Sequence, residues 1–233
     1  MGARGRLVLV RHGESIANAA DTFAGWADVA LTPEGIREAE RAGRALAAAG
    51  VRPDVVHTSV LGRAINSAHL VLDGCGTGVG RIRLHRHWRL NERHYGALQG
   101  WSKVEARQRY GAGRVERWRR SVEVGPPPLE GPALAEQLGD PRYQDPAARA
   151  VRSESLGQVR ARIEPYWRGV LAPEVECGLT VLVVGHGNAL RMLAALATGR
   201  PAAAGASLVF PTAEPVEVAV SGALAVGVCA SRA

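Results

Sequence analysis

Two segments of the chain share one pattern, a short apolar run that ends one residue before a His-Gly pair. Residues 7–13 read Leu-Val-Leu-Val-Arg-His-Gly, and residues 181–187 read Val-Leu-Val-Val-Gly-His-Gly. Continuous apolar runs of this length are typical of the buried strands of a parallel sheet. Such sheets bind their ligands beyond the carboxyl ends of the strands. We therefore expect His12 and His186 to project into one crevice.

Strand and helix patterns alternate along the rest of the chain. Thr32 and Pro33 have the residue types of a helix N-cap and first helical position, and they predict a helix that extends to Gly50. Its predicted apolar stripe consists of Ile36, Ala39, Gly43, Leu46 and Ala47. Further strands are predicted at residues 54–57, 82–85, 180–184 and 216–220, and further helices at 63–72, 102–110 and 155–171, the last kinked at Pro165. This alternation predicts an α/β fold with a mostly parallel sheet flanked by helices.

Residues 88–152 lack this regular alternation. They include the run Gly-Pro-Pro-Pro at residues 125–128. A long irregular stretch inside a compact domain is usually a functional loop or lid. We therefore expect one catalytic domain over residues 1–233, with an insertion or lid at about 97–152.

The distribution of charge bears on the kind of ligand. The chain carries 29 basic and 22 acidic residues, a formal net charge of +7. The basic residues are scattered and not interleaved with aromatic ones, so a nucleic acid is the weakest choice of ligand and a small anionic substrate accounts for the positive field. Every basic residue is Arg except Lys103, which suggests that a compact ammonium is needed at that position.

The sequence shows no targeting segment and no metal-binding pattern. No apolar run approaches the roughly 20 residues that cross a bilayer, and the run at residues 7–10 is too short for a signal-peptide core. Cys75, Cys177 and Cys229 lack metal-ligand spacing. We expect a cytoplasmic protein with reduced thiols, no membrane contact and no metal.

The paired histidines predict phosphoryl transfer. A neutral imidazole is a nucleophile at phosphorus, which makes His12 the predicted nucleophile, and the helix that follows His186 favours an anion at its N-terminus. Arg11 and Arg63 can bind phosphate oxygens through bidentate forks, and Glu92 can exchange the proton of the leaving oxygen. Any one of these residues alone is more often structural, but the paired pattern favours the functional interpretation. Four other histidines have no such context and are assigned no role: His57, His69, His85 and His87.

Longer stretches of the sequence resemble one family. Residues 9–15, Leu-Val-Arg-His-Gly-Glu-Ser, are similar to the signature of the histidine phosphatase superfamily. Within it, residues 7–218 most resemble the 2,3-bisphosphoglycerate-dependent phosphoglycerate mutases. The matching stretches are residues 58–65, 88–96, 118–121, 126–128, 154–156, 165–167 and 186–191. The stretch around Glu92 is the most specific, because simple phosphatases of the superfamily usually differ there.

The resemblance implies a three-layer α/β sandwich and a role for each matching residue. His12 would be phosphorylated and Glu92 would donate and accept the proton, while Arg11, Arg63 and His186 would surround the transferring phosphoryl group. The residues that would hold the rest of the substrate are Asn18, Gly25, Arg93, Tyr95, Lys103, Arg119, Arg120, Gly187 and Asn188. The implied reaction interconverts 3-phosphoglycerate and 2-phosphoglycerate, with 2,3-bisphosphoglycerate as primer and no metal.

Departures from the family pattern concern the substrate. Ala17 and Ala24 stand where the family has Trp and Thr, Ala213 stands in place of a Gly, and the C-terminal tail is short. A phosphatase that lets water attack the same phospho-His12 is therefore an alternative. A non-catalytic phospholigand-binding protein is a third hypothesis, but none of the predicted catalytic residues is missing. The sequence leaves a homo-oligomer open.

Overall fold

A five-stranded sheet forms the centre of the molecule. The computed structural model describes residues 5–77 and 80–221. The strands are β1 (Arg6–Arg11), β2 (Val55–Thr58), β3 (Arg83–Arg86), β4 (Thr180–Gly185) and β5 (Pro215–Val218). Their order is β3-β2-β4-β1-β5, with β1 to β4 parallel and β5 antiparallel to β1. The predicted mostly parallel sheet is confirmed.

Helices surround this sheet. The α-helices are α1 (Ile16–Ala19), α2 (Pro33–Ala48), α3 (Gly62–Gly74), α4 (Lys103–Tyr110), α5 (Ala112–Arg120), α6 (Gly131–Gly139), α7 (Pro146–Arg149), α8 (Leu156–Tyr166), α9 (Ala172–Glu176), α10 (Gly187–Ala197) and α11 (Ala202–Ala206). Short 3₁₀ helices occur at Trp88–Leu90, Gly96–Leu98 and Pro141–Tyr143, and a π-helical turn at Trp167–Leu171.

The two faces of the sheet carry separate apolar cores. Val8 and Val10 of β1 pack with the buried sides of α2 and α3. Leu7 and Leu9 point to the opposite face and pack with α8, α10 and the π turn. All four side chains are at most 2% exposed, and burial of one such side chain contributes about 1.5–3 kcal/mol. The fold is therefore a three-layer α/β sandwich, as predicted.

The register of β1 and β4 brings the two His-Gly motifs together. The pairing runs from Arg6 opposite Thr180 to Arg11 opposite Gly185. Beyond it, the His12 N–H donates to the Gly185 carbonyl oxygen at 2.9 Å. Both motifs therefore leave adjacent parallel strands at the edge where such sheets bind ligands.

The start of α2 is the predicted one. The Thr32 hydroxyl oxygen accepts a hydrogen bond from the Gly35 N–H at 3.0 Å, and Pro33 occupies the first turn. The helix ends at Ala48, two residues before the predicted end at Gly50.

The predicted apolar stripe of α2 is wrong at Ile36 and Ala47, which are exposed. A Cβ at Gly43 would lie 2.2 Å from the Val71 carbonyl oxygen of α3. Because the two helices approach this closely, small residues face α3 and the bulkier Ile36 faces solvent. The buried residues of α2 are Gly35, Ala39, Ala42, Gly43 and Leu46.

The single helix predicted over residues 155–171 is interrupted. α8 ends at Tyr166 and the π turn follows it. Pro165 has no N–H to donate to the helical ladder, and the widened turn begins two residues after it. The π turn leads directly into α9, so the helical path continues beyond the predicted end at residue 171.

Residues 97–152 contain more regular structure than the sequence pattern predicted. They hold α4 to α7, and Leu98, Ala106, Val115 and Trp118 form a small core with Phe23. This core fastens the segment to the loop after α1. The role of the segment as an insertion or lid stays a prediction.

Some sequence-based expectations concern residues outside the described ranges. Cys229 and the end of the short C-terminal tail lie beyond residue 221. Within the described ranges, the helices are all too short or too polar to traverse a lipid bilayer.

Candidate active site

A cleft of about 280 Å³ opens at the carboxyl edge of β1 and β4. The residues that line it are Arg11, His12, Ser15, Asn18, Thr22, Phe23, Ala24, Gly25, Arg63, Glu92, Tyr95, Lys103, Arg119, Arg120, Leu156, Gly187, Asn188, Arg191 and Ala206. Every predicted site residue except Arg93 and His186 thus lines this cleft. His186 lies directly behind the wall of the cleft, with its ring centroid 5.0 Å from that of His12.

Two glycines allow the loop after β1 to lie directly against the start of α2. A Cβ at Gly13 would lie 2.0 Å from the Gly35 carbonyl oxygen, and a Cβ at Gly35 would lie 2.0 Å from the Glu14 carbonyl oxygen. The Gly13 N–H also donates to Ser67 Oγ at 3.1 Å. Neither glycine can carry a side chain here, and their contact fixes the backbone beside His12.

His12 presents a lone pair to the cleft. Its Nδ1 lies 2.7 Å from the Gly13 carbonyl oxygen. A carbonyl only accepts, so Nδ1 carries the ring proton and Nε2 the lone pair. Burial, with Arg63 and Arg11 nearby, holds the pKa of His12 well below its usual value. The imidazole is therefore neutral at neutral pH, the form in which it attacks phosphorus.

His186 is fully buried and precedes the first residue of α10. Its Nε2 lies 2.8 Å from Ser59 Oγ. In the part of the chain that the structure describes, Nδ1 has no hydrogen-bond partner. Burial and the charge of Arg63 keep the pKa of His186 well below its usual value, so this ring is also neutral.

The two predicted arginines are held differently. Arg63, 1% exposed, donates from its two terminal nitrogens to the carbonyl oxygens of Ala27 at 2.9 Å and Gly25 at 2.8 Å. Burial lowers the pKa of Arg63 to about 10, which still leaves it charged at neutral pH. Arg11 donates to the Phe210 carbonyl oxygen at 3.2 Å, but its buried Nε has no partner among the described residues. Arg11 therefore keeps a donor for a ligand.

Glu92 is held through one carboxylate oxygen. Oε1 accepts the N–H of Arg93 at 2.7 Å and the N–H of Asn188, at the start of α10, at 3.2 Å. Since both bonds go to Oε1, Oε2 is the oxygen that can exchange a proton with a ligand.

The lining residues that α4 and α5 contribute to the cleft are cationic. Lys103 pairs with Asp21, and Arg119 pairs with Glu116 at 3.0 Å. The hydrogen bond from Lys103 lowers the pKa of Asp21. Arg120 also pairs with Glu116 and is mostly exposed. Exposed pairs of this kind are weak, so the cations can exchange a protein carboxylate for an anionic ligand.

Asn18, Tyr95 and Asn188 supply polar groups along the cleft. The Asn18 side-chain oxygen accepts from the N–H of Ser15 at 3.1 Å, which leaves its amide N–H₂ to donate. The Asn188 side-chain nitrogen donates to the Tyr95 hydroxyl oxygen at 3.0 Å. Gly25 has a φ of 55°, and a Cβ there would lie 2.3 Å from the Gln99 side-chain oxygen. A larger residue there would have to displace the Gln99 side chain and adopt a backbone conformation that favours glycine.

The guanidinium of Arg93 does not reach the cleft, in contrast to the prediction. It is fully buried and donates to the carbonyl oxygens of Glu154 at 2.6 Å, Arg119 at 3.0 Å and Trp118. These bonds fasten the end of α5 beside the cleft. Arg93 thus contributes by holding the segment that carries Arg119, and its backbone N–H holds Glu92.

Two residues of the site were not singled out from the sequence. Arg191 lines the cleft, and its buried Nε has no partner among the described residues. It lies four positions after Gly187 on the predicted helix, a spacing that places both on one face and could have identified it. Ser59 contacts His186. The sequence signal for this contact is the position of Ser59 directly after β2.

The three substituted alanines have different settings. Ala17 is buried in α1, and Ala24 lines the cleft without the hydroxyl of a Thr. Ala213 has a φ of 51°, a conformation that favours glycine, and its N–H donates to the Arg11 carbonyl oxygen at 2.9 Å. The backbone at residue 213 thus keeps the shape that a Gly would adopt.

Over residues 5–77 and 80–221, no group of three or more His, Cys, Asp or Glu side chains is arranged to hold a metal ion.

The sandwich and its histidine pair define a class of enzyme. The chain belongs to the histidine phosphatase superfamily (branch 1), whose sequence model matches residues 7–140 and 131–223. Within that superfamily it belongs to the family of the 2,3-bisphosphoglycerate-dependent phosphoglycerate mutases. The predicted family and its enzyme class are confirmed.

Individual relatives support this assignment. The 2,3-bisphosphoglycerate-dependent phosphoglycerate mutase of Thermobifida fusca is 50% identical over 188 residues, which are 80% of this chain and 75% of that protein. The mutase of the same name from Nitratidesulfovibrio vulgaris is 45% identical over 219 residues, 94% of this chain and 87% of that one. A solved mycobacterial glucosyl-3-phosphoglycerate phosphatase in complex with VO3 is 26% identical and covers 92% of each chain, with a TM-score of 0.70.

Proposed function

We propose that the chain interconverts 3-phosphoglycerate and 2-phosphoglycerate through a phosphohistidine on His12. The observation that carries the proposal is the lone pair of His12 Nε2 in a cleft that the cations of α4 and α5 also line. The histidine suits a transferring phosphoryl group, and the cations suit the carboxylate and second oxygen substituent of a phosphoglycerate. The matching names of the relatives support the same substrate.

A 2,3-bisphosphoglycerate primer fits the donors that the cleft leaves unused. Arg11 Nε and His186 Nδ1 are buried without a partner among the described residues, and Lys103, Arg119 and Arg120 line the cleft. When bound, the primer supplies the phosphoryl group that charges His12.

In the half of the proposed reaction that charges His12, its Nε2 forms a bond to one phosphorus of a bisphosphoglycerate as that ester P–O bond breaks. Arg11, Arg63 and His186 neutralise the charge on the equatorial oxygens. Glu92 gives its proton to the leaving oxygen, which becomes a hydroxyl.

In the second half, a substrate hydroxyl attacks the phosphorus of phospho-His12 and the N–P bond breaks. Glu92 takes the hydroxyl proton and is restored for the next turnover. When the attacking hydroxyl belongs to 3-phosphoglycerate, this step gives the bisphosphate, and isomerisation requires the bisphosphate to reorient and return its other phosphoryl group to His12. The cations on α4 and α5 retain the other anionic group meanwhile.

Hydrolysis by the same phosphohistidine is the competing function. Ala24 leaves the wall of the cleft without a Thr hydroxyl, and more room for water favours a phosphatase. We infer that residues 97–152 oppose hydrolysis by covering the cleft and excluding water. The small core of this segment includes Phe23, which lies on the same loop as Ala24.

A single assay separates the two functions. Purified protein receives 3-phosphoglycerate with and without 2,3-bisphosphoglycerate, and both 2-phosphoglycerate and inorganic phosphate are measured. We expect isomerisation that depends on the primer. Phosphate release without isomerisation would establish the phosphatase instead. Ala24→Thr is the matched variant, and it should lower phosphate release relative to isomerisation.

A further inference from the structure

His186 is fully buried, and one of its ring nitrogens has no hydrogen-bond partner within residues 5–77 and 80–221. A buried polar atom without a partner is costly and calls for an explanation. The answer depends on which nitrogen carries the proton, because a neutral imidazole has one donor and one acceptor.

Ser59 decides between the two nitrogens. The backbone N–H of Leu61 donates to Ser59 Oγ at 3.1 Å, so one lone pair of the hydroxyl is already used. Ser59 is fully buried, and the ring Nε2 of His186 lies 2.8 Å from its oxygen. The hydroxyl hydrogen then has an acceptor at Nε2 of His186.

We propose that Ser59 is a positioning residue that holds the ring proton of His186 on Nδ1, so that this N–H donates to the phosphoryl group on His12. The inference rests on the proposed roles of His12 and His186. It adds a residue, Ser59, that touches neither substrate nor phosphorus and acts through the imidazole.

The two active-site rings then have the same tautomer but present opposite groups to the phosphoryl. The Gly13 carbonyl oxygen holds the His12 proton on Nδ1, so His12 offers a lone pair. Ser59 holds the His186 proton on Nδ1, so His186 offers a donor. One ring can form the N–P bond while the other binds the oxygens.

The opposite tautomer of His186 would fail in the charged site. With the proton on Nε2, the Ser59 hydroxyl would accept twice and its hydrogen would be left unused. The lone pair of Nδ1 would then face phosphoryl oxygens, which are also acceptors and repel it. Only the Nδ1–H form is fully paired once a phosphoryl group is present.

The first test reads the tautomer directly. Long-range ¹H–¹⁵N NMR spectra of the histidine-labelled enzyme separate protonated from unprotonated ring nitrogens, and a His186→Asn sample assigns the signals. We expect a proton on Nδ1 of His186 at neutral pH. A proton on Nε2 would overturn the proposal. This readout needs no turnover, so it is independent of whether the enzyme is a mutase.

The second test removes the hydroxyl. In Ser59→Ala the tautomer of His186 should no longer be fixed, so an Nε2–H signal of His186 should appear in the spectrum. The value of kcat should fall about tenfold, which corresponds to the loss of about one hydrogen bond. KM should change little, because Ser59 does not contact substrate. Ser59→Thr keeps the hydroxyl and should restore the Nδ1–H signal and most of kcat.

Thr58→Val is the matched control. The neighbouring Thr58 is also fully buried, and its hydroxyl donates to the Val184 carbonyl oxygen at 2.8 Å. The control should lower thermal stability as Ser59→Ala does, yet leave the His186 signals and kcat unchanged. An Ser59→Ala enzyme with the wild-type tautomer and kcat would refute the role of Ser59. If that variant does not fold, the spectrum of the wild-type enzyme decides.

Discussion

Two groups of histidines lie on this sheet or directly after its strands, and they differ in what their nitrogens contact. His57 on β2 is fully buried, like His186. Its Nδ1 lies 2.8 Å from the Tyr166 hydroxyl oxygen and its Nε2 lies 2.7 Å from Glu174 Oε2. Among the residues that the structure describes, His12 and His186 each have one nitrogen engaged and one without a hydrogen-bond partner.

The aromatic neighbours of the rings also differ between the two groups. His57 stacks on His85 with ring centroids 5.0 Å apart, and His87 packs on Tyr166 at 4.4 Å. These three histidines form what we call the β2–β3 histidine group. Burial alone therefore does not mark a catalytic histidine on this sheet. What distinguishes a catalytic histidine here is a ring nitrogen beside the cleft that has no hydrogen-bond partner among the described residues.

The largest predicted effect comes from removing the nucleophile. His12→Ala should lower mutase activity by about 10⁴-fold or more, because no phosphoenzyme can form. Acid-labile ³²P incorporation from labelled primer should disappear with it. Substantial remaining turnover would contradict this comparison, because it would show that the free lone pair of His12 is not needed for activity.

The reverse outcome is expected for the β2–β3 histidine group. His57→Leu should cost about 2–4 kcal/mol of stability, because Tyr166 and Glu174 lose their buried partner. Activity per folded molecule should be unchanged. Urea denaturation and active-site titration measure the two quantities separately, and a loss of kcat without a loss of stability would contradict the structural role.

Stability should fall as pH falls below the ordinary histidine range. The pKa of His12 and that of His186 are lowered in the folded state, whereas in the unfolded chain each returns to about 6.5. Below that pH the unfolded state binds protons that the folded state excludes, so each group removes up to about 1.4 kcal/mol per pH unit. Urea midpoints at several pH values measure the slope. His12→Ala should make it shallower, and an unchanged slope would show that His12 titrates normally when folded.

The smallest predicted effect comes from removing the Arg191 guanidinium, whose Nε has no hydrogen-bond partner among the described residues. Arg191→Gln should raise KM for phosphoglycerate about tenfold, the loss of one charge-assisted contact, with a smaller change in kcat. Arg160→Gln is the control, since it removes the same charge from a partly exposed side chain that donates to the Arg200 carbonyl oxygen at 2.9 Å. Equal KM values for the two variants would mean that Arg191 does not contact substrate.

The sequence predicts the sheet and the position of the nucleophile well because both depend on local patterns. Apolar runs fix the strands, and parallel pairing brings His12 and His186 together without further information. The buried face of α2 was predicted less well, because the close approach of α3 at Gly43 is a tertiary contact. Arg93 shows the same limit within the site: a motif gives its position, but not that three carbonyl oxygens occupy its guanidinium.

The interlocked glycines beside the nucleophile have an evolutionary consequence. A side chain at Gly13 would clash with the Gly35 carbonyl oxygen, and one at Gly35 would clash with the Glu14 carbonyl oxygen, so neither glycine can be exchanged without moving backbone. Lineages that diverge from this enzyme can alter the cationic residues of α4 and α5 by single substitutions, whereas the backbone that holds His12 is inherited unchanged. A library built to find new substrates should therefore randomise the positions on α4 and α5 and keep the two glycines invariant.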